Sequence, residues 1–458
     1  MIERAEVVIC GAGIAGVAAA YFLSVHHGVK DIVLVDRLPP LSLTSDKSTE
    51  CYRNWWPGPG DEMVGLMNRS IDLLEDIAIE SDNRINLNRR GYLFATADKD
   101  KVEQFVSSGE EAAQLGAGAL RQHTASMGQY QPSRMYGFSD QPSGSDLLFG
   151  KALVQRHFPY LSDETIAVLH ARRCGWFSAQ QLGMYLLDSA REAGTRLVNG
   201  QVVDVRVEAG RVTGVTVDSL SEERHIATTS FVNAAGPYVQ PTGALMGVEV
   251  PVFSECHVKV SFKDTRDGVP VEAPLMIWCD PVTLPWTDAE RPLIANDPDA
   301  AYLLEPFQAG VHVRPEGHAG AHSALILWTY ECEAVTPVFP LQWDPNLPDI
   351  ALRGLSVMLP RMQAYFDIMP KTVVDGGYYT KTRENRPLIG PMSVDGSFII
   401  GAFSGFGLMV GCGAGELLAK HVTGSPLPGY AQAFSLQRYD DVGYQRLLDD
   451  WPSTSGQL

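Results

Sequence analysis

The amino-acid sequence predicts an α/β (α+β) fold, in which a parallel sheet flanked by helices is joined to a second, largely antiparallel sheet. Three observations predict it. A strand, a glycine-rich loop, a helix and a second strand follow one another within residues 5–36, and proline-interrupted β-type segments fill residues 251–367. A strand, a small-residue loop and a helix then return at 398–420. The parallel part is therefore expected to come from separated segments.

The N-terminal unit has the glycine spacing of a Rossmann-like loop. The strand that ends at Cys10 is followed by Gly11, Gly13 and Gly16. The first glycine allows a tight turn, the second lets the main chain approach a pyrophosphate, and the third lets the helix pack on the strand. The next strand ends at Asp36, which either accepts hydrogen bonds from a ribose or is a charge that ends a strand at the surface. We favour a dinucleotide site, with the anion at the start of the helix.

The middle of the chain predicts further strands. Residues 201–207 and 211–217 alternate apolar and polar side chains on either side of a short turn, which predicts a β-hairpin. The segments 258–262, 310–314 and 324–328 predict strands of an inserted antiparallel sheet.

Composition excludes several classes of partner. The chain has 458 residues and a net charge of −18, which disfavours nucleic acid and anionic membranes, and it has no apolar run long enough to span a bilayer. A small-molecule ligand is favoured. The seven cysteines are scattered and never spaced as C-x-x-C, which favours free thiols in a reducing compartment over a disulfide scaffold or a metal site. Because the first strand begins close to Met1, no signal peptide is expected, and we expect a cytoplasmic protein.

Four sequence blocks occur in a characteristic order. After the glycine loop come TSDKSTECYR at 44–53, VNAAG at 232–236, GYYTKTRENRPLIG at 377–390 and GAFSGFG at 401–407. Together they resemble the D-amino-acid oxidase (DAO) superfamily of FAD-dependent oxidoreductases, and within it the glycine oxidase and monomeric sarcosine oxidase branch. The last two blocks are the most specific, because Y-T-K-T and F-S-G-x-G match the sarcosine oxidase pattern almost letter for letter.

This resemblance implies FAD as the cofactor and a fold in two parts. A Rossmann-like FAD-binding domain would be built from discontinuous segments, and a substrate domain would carry a large antiparallel or mixed β-sheet flanked by helices. We expect the first domain from residues 1–90, 165–245 and 370–458, and the second from residues 91–164 and 246–369.

The resemblance also implies which residues contact FAD. Those expected around its ADP half are Gly11, Gly13, Ile14, Ala15, Gly16, Asp36 and Arg37, with Val202 beside the adenine and Ala234 and Gly236 near the pyrophosphate. Those expected near the flavin ring are Ser45, Thr49, Gly405, Phe406, Gly407, Leu408 and Met409. N–H groups at a helix start stabilise the negative charge that a flavin gains on reduction. The Ser/Thr-rich segment that holds Ser45 and Thr49 also fits an ordinary connecting loop.

Three residues are candidates for catalysis. Arg53 aligns with the position that takes the substrate carboxylate in sarcosine oxidases, and a guanidinium suits a carboxylate, although a structural ion pair or a phosphate contact also fits. Tyr379 either faces the substrate, as the resemblance implies, or fills the core. Of the histidines at 257, 312, 318 and 322, His312 is the best placed, although each also fits a surface or core role.

Three positions depart from the family pattern. Gly377 occupies the place of the cysteine that attaches flavin in sarcosine oxidases, so FAD is expected to be non-covalent. Met409 replaces a basic residue that helps to hold the substrate carboxylate. A looser alignment places Ile326 where oxidases of the family have a lysine that activates oxygen.

These observations predict an FAD-dependent amine or amino-acid oxidoreductase. It would transfer a hydride from the carbon beside the nitrogen to flavin N5, after which the imine would hydrolyse in water. No metal is expected, and the reoxidant could be oxygen, another electron acceptor or a partner subunit. Two alternatives stay open. One is an alcohol dehydrogenase of the glycerol 3-phosphate type, and the other is a non-catalytic FAD-binding subunit of a larger oxidase, suggested by the missing basic residues at 326 and 409.

Overall fold

The computed structural model describes residues 3–124, 129–219, 222–318, 320–330 and 333–451. Its strands in chain order are β1 (Glu3–Arg4), β2 (Val7–Cys10), β3 (Ile32–Asp36), β4 (Cys51–Arg53), β5 (Tyr92–Thr96), β6 (Leu120–His123), β7 (Ser145–Phe149), β8 (Ala167–Ala171), β9 (Cys174–Trp176), β10 (Arg196–Asn199), β11 (Gln201–Glu208), β12 (Arg211–Asp218), β13 (Glu223–Ala227), β14 (Phe231–Asn233), β15 (Phe253–Lys263), β16 (Leu275–Trp278), β17 (His312–His318), β18 (Ala321–Leu327), β19 (Thr372–Lys381), β20 (Leu388–Pro391) and β21 (Ser397–Gly401). Its α-helices are α1 (Ile14–Tyr21), α2 (Glu62–Glu80), α3 (Lys99–Ala112), α4 (Lys151–His157), α5 (Ala179–Glu192), α6 (Val239–Ala244), α7 (Glu290–Ala295), α8 (Leu347–Met358), α9 (Gly407–Thr423) and α10 (Val442–Asp449).

The Rossmann-like part is a sheet of six described strands in the order β10-β3-β2-β14-β21-β20. All neighbouring pairs are parallel except β20 with β21. The central strands β2 and β3 are almost wholly apolar and buried, as expected for parallel strands covered on both faces. The sheet takes strands from three separated stretches of chain, which confirms that the Rossmann-like part is discontinuous.

Small residues let the two helices beside this sheet approach closely. Every residue of α1 is buried, and most are alanine or glycine. A Cβ on Gly415 of α9 would lie 2.9 Å from the main-chain carbon of Ala18, so α1 and α9 are in contact at main-chain distance. None of the helices in the described ranges is long and apolar enough to cross a membrane.

The second large sheet contains nine described strands in the order β19-β15-β18-β17-β16-β5-β8-β7-β6. Most of its pairs are antiparallel, whereas β16 with β5 and β6 with β7 are parallel. The predicted strands at 258–262, 310–314 and 324–328 fall within or overlap β15, β17 and β18, and the predicted hairpin is formed by β11 and β12. The mixed sheet flanked by helices confirms the predicted fold class.

The predicted domain boundaries differ from this sheet at two strands. Both β8 and β19 lie in segments assigned to the FAD domain, 165–245 and 370–458, yet both pair within the nine-stranded sheet. The division into two domains stays a prediction.

The two faces of the nine-stranded sheet have different roles. Neighbouring residues of a strand point to opposite faces. Val260 of β15 and Ile326 of β18 lie in an apolar core that also contains Leu347 and Ile350 of α8. His257, on the other parity of β15, lines a cavity that faces the parallel sheet. One face therefore builds a core, and the other builds a site.

A buried histidine lies in the part of this sheet far from β19. His170 of β8 has Nε2 2.9 Å from the carbonyl oxygen of Arg90 and Nδ1 2.8 Å from the hydroxyl of Tyr130. Because a carbonyl only accepts, Nε2 carries the proton. Burial first, and then the positive charge of Arg172, lower the pKa of His170 to about 3.

We predict that Gly16→Ala destabilises the fold. Alanine in a helix normally stabilises by about 0.5–1 kcal/mol relative to glycine. Here the added Cβ would overlap the carbonyl oxygen of Gly11, a main-chain atom. Overpacking of this kind costs about 1–3 kcal/mol, so the urea midpoint should fall. Gly429→Ala is the control, because a Cβ there meets nothing within 4 Å. Equal midpoints for the two variants would contradict the close packing.

We predict that His170 makes stability fall as the pH falls below about 6.5, the ordinary histidine pKa. Below that pH the unfolded chain binds a proton that folded His170, with its pKa of about 3, does not bind. At pH 5 the loss from this side chain should be about 2 kcal/mol. His170→Gln should remove this contribution to the pH dependence. The measurement is the change in the free energy of unfolding in urea between pH 7 and pH 5, made on the wild type and on the variant. The same change in both proteins would show that His170 is protonated in the native state.

Candidate active site

The site is a cavity of about 150 Å³ between the parallel sheet and the nine-stranded sheet. Its walls come from the glycine loop after β2, residues 39–48, the end of β14, the strand β19 and the start of α9. The residues predicted to hold the cofactor that line it are Gly11, Gly13, Ile14, Ala15, Asp36, Ser45, Ala234, Gly236, Gly405, Gly407 and Leu408.

The glycine loop has the geometry that its sequence predicts. Gly11 has φ +108°, in the region that favours glycine, and a Cβ there would overlap the carbonyl of Ala234. The side of Gly13 is open except for the hydroxyl of Ser45, 3.3 Å from a Cβ built there. That hydroxyl accepts a hydrogen bond from Ile14 N at 3.0 Å. The loop therefore presents main chain to the cavity at the start of α1. Gly16, by contrast, lies behind the wall.

Asp36 has a structural role that the sequence analysis did not predict. One carboxylate oxygen accepts from Ala12 N at 2.7 Å, and the other accepts from Leu38 N at 2.9 Å. The side chain thus fixes the glycine loop while it lines the cavity. Each oxygen has a second lone pair, so a ribose contact stays compatible with this geometry.

A second cavity, of about 400 Å³, adjoins the first. The residues Gly11, Asp36, Leu43 and Ala235 line both. Arg37 and Val202, which the resemblance places near the adenine half, line the second cavity. The two cavities together form a groove that runs from the start of α9 to β11, and we call it the cofactor groove.

The turn before α9 is built from residues with unusual main-chain angles. Ala402, Ser404 and Gly405 have φ of 54°, 47° and 88°. The turn brings Gly405 and Gly407 to the cavity wall, and α9 begins there.

Two residues predicted for this stretch point elsewhere. Phe406 packs edge-on against Trp56 with ring centroids 4.8 Å apart, and it is buried in the core beside α1. The side chain of Met409 lies in the same core, and its carbonyl accepts from the Ser70 hydroxyl at 2.6 Å. Neither lines the groove, so any contact that they make with the flavin stays a prediction.

Tyr379 lines the cavity, as the resemblance implies for a substrate-facing tyrosine. One face of its ring stacks on His257, with centroids 3.7 Å apart and planes 16° apart. The ring also packs against Gly405, where a Cβ would overlap it. Burial raises the pKa of Tyr379 well above its ordinary value, so the hydroxyl is neutral at pH 7.

Gly377 leaves no room for a flavin-attaching side chain. A Cβ built there would lie 3.0 Å from the Cα of Thr44 and 2.9 Å from its hydroxyl. The space that a cysteine would need is thus taken by the main chain and side chain of Thr44. This agrees with the prediction of non-covalent FAD.

Residues 44–50 are anchored to the nine-stranded sheet. The guanidinium of Arg314, which is fully buried, donates to the carbonyl of Thr49 at 2.6 Å and pairs with Glu50 at 2.8 Å. Lys259 donates to the carbonyl of Lys47 at 2.7 Å. The segment is therefore more than a connecting loop. Thr49 itself does not line the groove, so its predicted flavin contact is untested.

Arg53 and His312 lie near each other but outside the walls of the groove. Arg53 of β4 is buried, with its guanidinium 4.4 Å from the ring centroid of Trp56. His312 of β17 is 2.8 Å from the carbonyl of Gly310 through Nδ1, which therefore carries the proton. Burial, and secondly the charge of Arg53, lower the pKa of His312 to about 4. The imidazole is neutral at pH 7, and the catalytic roles of both residues stay predictions.

The side chain of Ile326 does not face the cavity. This side chain belongs to the core under α8, on the face turned away from the cavity. The neighbouring Leu327 lines the cavity instead. On the same face Lys259 is buried and pairs with Asp375 at 2.6 Å. A shift of one residue in the alignment of a strand exchanges its two faces.

Sequence reasoning also missed His257 as a wall of the cavity. It was one of four histidines in the inserted segment, and His312 was preferred to it. His322 is buried and bonded to the carbonyl of Val269 at 3.0 Å, and the side chain of His318 lies outside the described residues. The alternation Glu-Cys-His-Val-Lys at 255–259 was the available signal, since it places Glu255, His257 and Lys259 on one face.

Other types of site find no support in the described residues. Within them, no group of three His, Cys, Asp or Glu side chains could hold a metal ion. Six cysteines are free thiols, and Cys332 lies outside the described residues.

The groove fits FAD. It extends from the residues predicted near the adenine to those predicted near the flavin ring. At the start of α1, Gly11 and Gly13 have no side chains that would block access of a ligand to the main chain. The starts of α1 and α9 both face it, which favours a phosphate at one and the electron-rich edge of a reduced flavin at the other.

Comparison with known proteins gives the family. Residues 6–421 match the family of FAD-dependent oxidoreductases known as DAO. Human mitochondrial dimethylglycine dehydrogenase is 23% identical over 257 residues, which are 56% of this chain and 26% of that protein. This chain thus spans about a quarter of that relative's length.

Solved structures show the same fold. L-proline dehydrogenase from P. horikoshii superposes with a TM-score of 0.71 at 18% identity, over 96% of this chain and 99% of that chain. Glycine oxidase from Geobacillus kaustophilus superposes with a TM-score of 0.70 at 16% identity, over 95% and 99%. With nearly the whole chain matched and a groove that fits the cofactor, the protein belongs to the DAO family of FAD-dependent oxidoreductases.

Proposed function

We propose that this enzyme oxidises a C–N bond of an amino acid or an N-substituted amine. When bound in the groove, FAD would supply the hydride acceptor at N5 for the carbon beside the nitrogen, and the imine product would hydrolyse in water. The chain supplies the orientation of that C–H bond and the exclusion of competing reactions.

The position of Tyr379 is the observation that carries this proposal. It stands in the wall of the cavity, against the turn that begins α9, where the resemblance places the flavin ring. Its neutral hydroxyl can donate a hydrogen bond to a substrate and shape the pocket around it. The proteins compared above support the substrate class, because dimethylglycine, proline and glycine are all amino acids or N-methylated amino acids.

The proposed reaction starts from the neutral form of the amine. His312 uses Nδ1–H on a carbonyl, and burial keeps its imidazole uncharged at pH 7. A neutral amine can release hydride without a protein base, so the proposed reaction needs none from this chain. Arg53 would orient the acid group of the substrate from beside Trp56.

The two alternatives have less support. A phosphorylated alcohol would need several cations, and Lys47 is the one lysine or arginine among the described residues that line the 150 Å³ cavity. A non-catalytic subunit was suggested partly by Ile326, and that side chain faces away from the cavity. Both alternatives stay outcomes of the experiment below.

We expect an amino acid or N-methylated amine to bleach the absorbance of the bound FAD without oxygen. The anaerobic protein should be titrated with amino acids, their N-methyl derivatives, amines without a carboxylate and glycerol 3-phosphate. Reduction by the last compound alone would support the alcohol dehydrogenase, and reduction by none would support a non-catalytic subunit. The rate at which absorbance returns in air-saturated buffer then distinguishes oxygen from a partner subunit as the reoxidant.

We predict that Arg53→Ala raises the amino-acid concentration for half-maximal FAD reduction about tenfold or more, with a smaller effect on the rate at saturation. The reason is that a carboxylate contact binds the ground state and the transition state alike. Stopped-flow reduction at varied substrate concentration measures both quantities.

An amine without a carboxylate is the matched substrate control, and it should respond equally to wild type and Arg53→Ala. Lys47→Met is the matched variant, because Lys47 is a cation that does line the cavity. If Lys47→Met shows the carboxylate-specific effect and Arg53→Ala does not, the carboxylate is bound by Lys47. A loss on both substrates in Arg53→Ala would assign Arg53 a structural role.

A further inference from the structure

The ring of Tyr379 contacts two groups that the proposed reaction does not use. One is the imidazole of His257, whose centroid is 3.7 Å away and whose plane is nearly parallel to that of the tyrosine ring. The other is the main chain of Gly405, which has φ +88° and packs against the ring. These two contacts together restrict the orientation of the Tyr379 ring.

The plane of His257 is itself fixed by two hydrogen bonds. Its Nε2 is 3.0 Å from a carboxylate oxygen of Glu255, and its Nδ1 is 2.8 Å from the hydroxyl of Thr329. An ionised carboxylate only accepts, so Nε2 carries the proton. Nδ1 then accepts from Thr329. Both ring nitrogens are occupied in directions within the ring plane, which leaves the ring face for Tyr379.

Glu255 is ionised and neutralised by a second partner. Lys381 places its ammonium 3.0 Å from both oxygens of this carboxylate. Burial would raise the pKa of Glu255, but the hydrogen bonds from His257 and Lys381 outweigh it and hold the pKa below its usual range. Burial lowers the pKa of His257. The group therefore holds one negative charge, one positive charge and a neutral imidazole.

The other charged group nearest to His257 on the same strand and face is also paired. Lys259, two residues from His257 on the same strand and face, pairs with Asp375 at 2.6 Å. Opposite His257 on β19 is Gly377, which carries no side chain. The contacts of His257 described above thus account for both of its ring nitrogens and for the ring face that meets Tyr379.

We propose that His257 is the positioning residue that sets the plane of Tyr379 in the cavity wall, with Glu255 and Lys381 fixing His257 in turn. The substrate-facing role of Tyr379 rests on the proposed function. The positioning itself does not, because it can be measured on the protein without any substrate.

The test uses 3-fluorotyrosine incorporated at position 379 and ¹⁹F NMR of the FAD-loaded protein without substrate. We expect a single narrow resonance in the wild type. His257→Phe keeps a flat ring beside Tyr379 and leaves Glu255 with Lys381, so it should keep the single resonance. His257→Ala removes the stacking surface and should give a broadened or split resonance.

Flavin reduction is the second readout, made with an amine that reduces the wild type. A displacement of about 1 Å at a reacting centre costs up to about 100-fold. His257→Ala should therefore slow reduction at saturation by about 10- to 100-fold, and His257→Phe should restore most of the rate. Adding His257→Ala to Tyr379→Phe should slow flavin reduction by a similar factor as adding it to the wild type. The reason is that the phenylalanine ring depends on the same stack as the tyrosine ring.

Several outcomes would overturn the proposal. An unchanged ¹⁹F resonance in His257→Ala would show that the stack does not position Tyr379. A His257→Phe variant as slow as His257→Ala would show that the imidazole acts through its nitrogens. If His257→Ala does not fold, Thr329→Val removes one of the two bonds that fix the imidazole and should move the same resonance, and no movement would count against the proposal. If the resonances behave as expected while no amine reduces the wild type, the proposed function fails and the positioning stands.

Discussion

The site depends on residues 44–50 being bonded to both sheets at once. Ser45 accepts from Ile14 at the start of α1, on the parallel sheet. Arg314, from the nine-stranded sheet, holds the carbonyl of Thr49 and the carboxylate of Glu50. Because a buried arginine that loses its carboxylate leaves an uncompensated charge, this anchor is costly to break. The segment therefore fixes the distance between the two sheets, and with it the width of the groove.

Local features of this site could be predicted from the sequence. A side chain at Gly16 would overlap the carbonyl of Gly11, and one at Gly11 would overlap the carbonyl of Ala234 at the end of the neighbouring strand. The spacing of the two glycines in the sequence indicates such close contacts. Asp36 follows from the end of a recognisable strand, although its bonds to the glycine loop did not. The hairpin of β11 and β12 is likewise a short-range pattern. Except for the contact of Gly11 with Ala234 at the end of β14, the physical cause lies within about twenty-five residues of chain.

Features that depend on the register of distant strands could not be predicted. Ile326 and Leu327 are adjacent, and a shift of one residue in the alignment exchanges the core face with the cavity face. That His257 lines the cavity could not be predicted for the same reason, because the β15 and β19 pairing that brings His257 onto Tyr379 joins residues more than a hundred positions apart. Composition and motif carry no information about that pairing.

The charged groups around the cavity determine the electric field at the reacting C–H bond. Glu255 with Lys381 and Lys259 with Asp375 are each neutralised within the sheet, and the hydroxyl of Tyr379 is uncharged. Fixed charges in a dry cavity act strongly on a reacting centre. These two pairs lie behind the wall and add little net charge, so the field on the C–H bond is set mainly by Asp36 and Lys47, which line the cavity, by the ends of α1 and α9, and by the substrate's own groups. Because the proposed reaction starts from the neutral amine and needs no protein base, its pH dependence would follow the substrate's ammonium rather than a base of the protein.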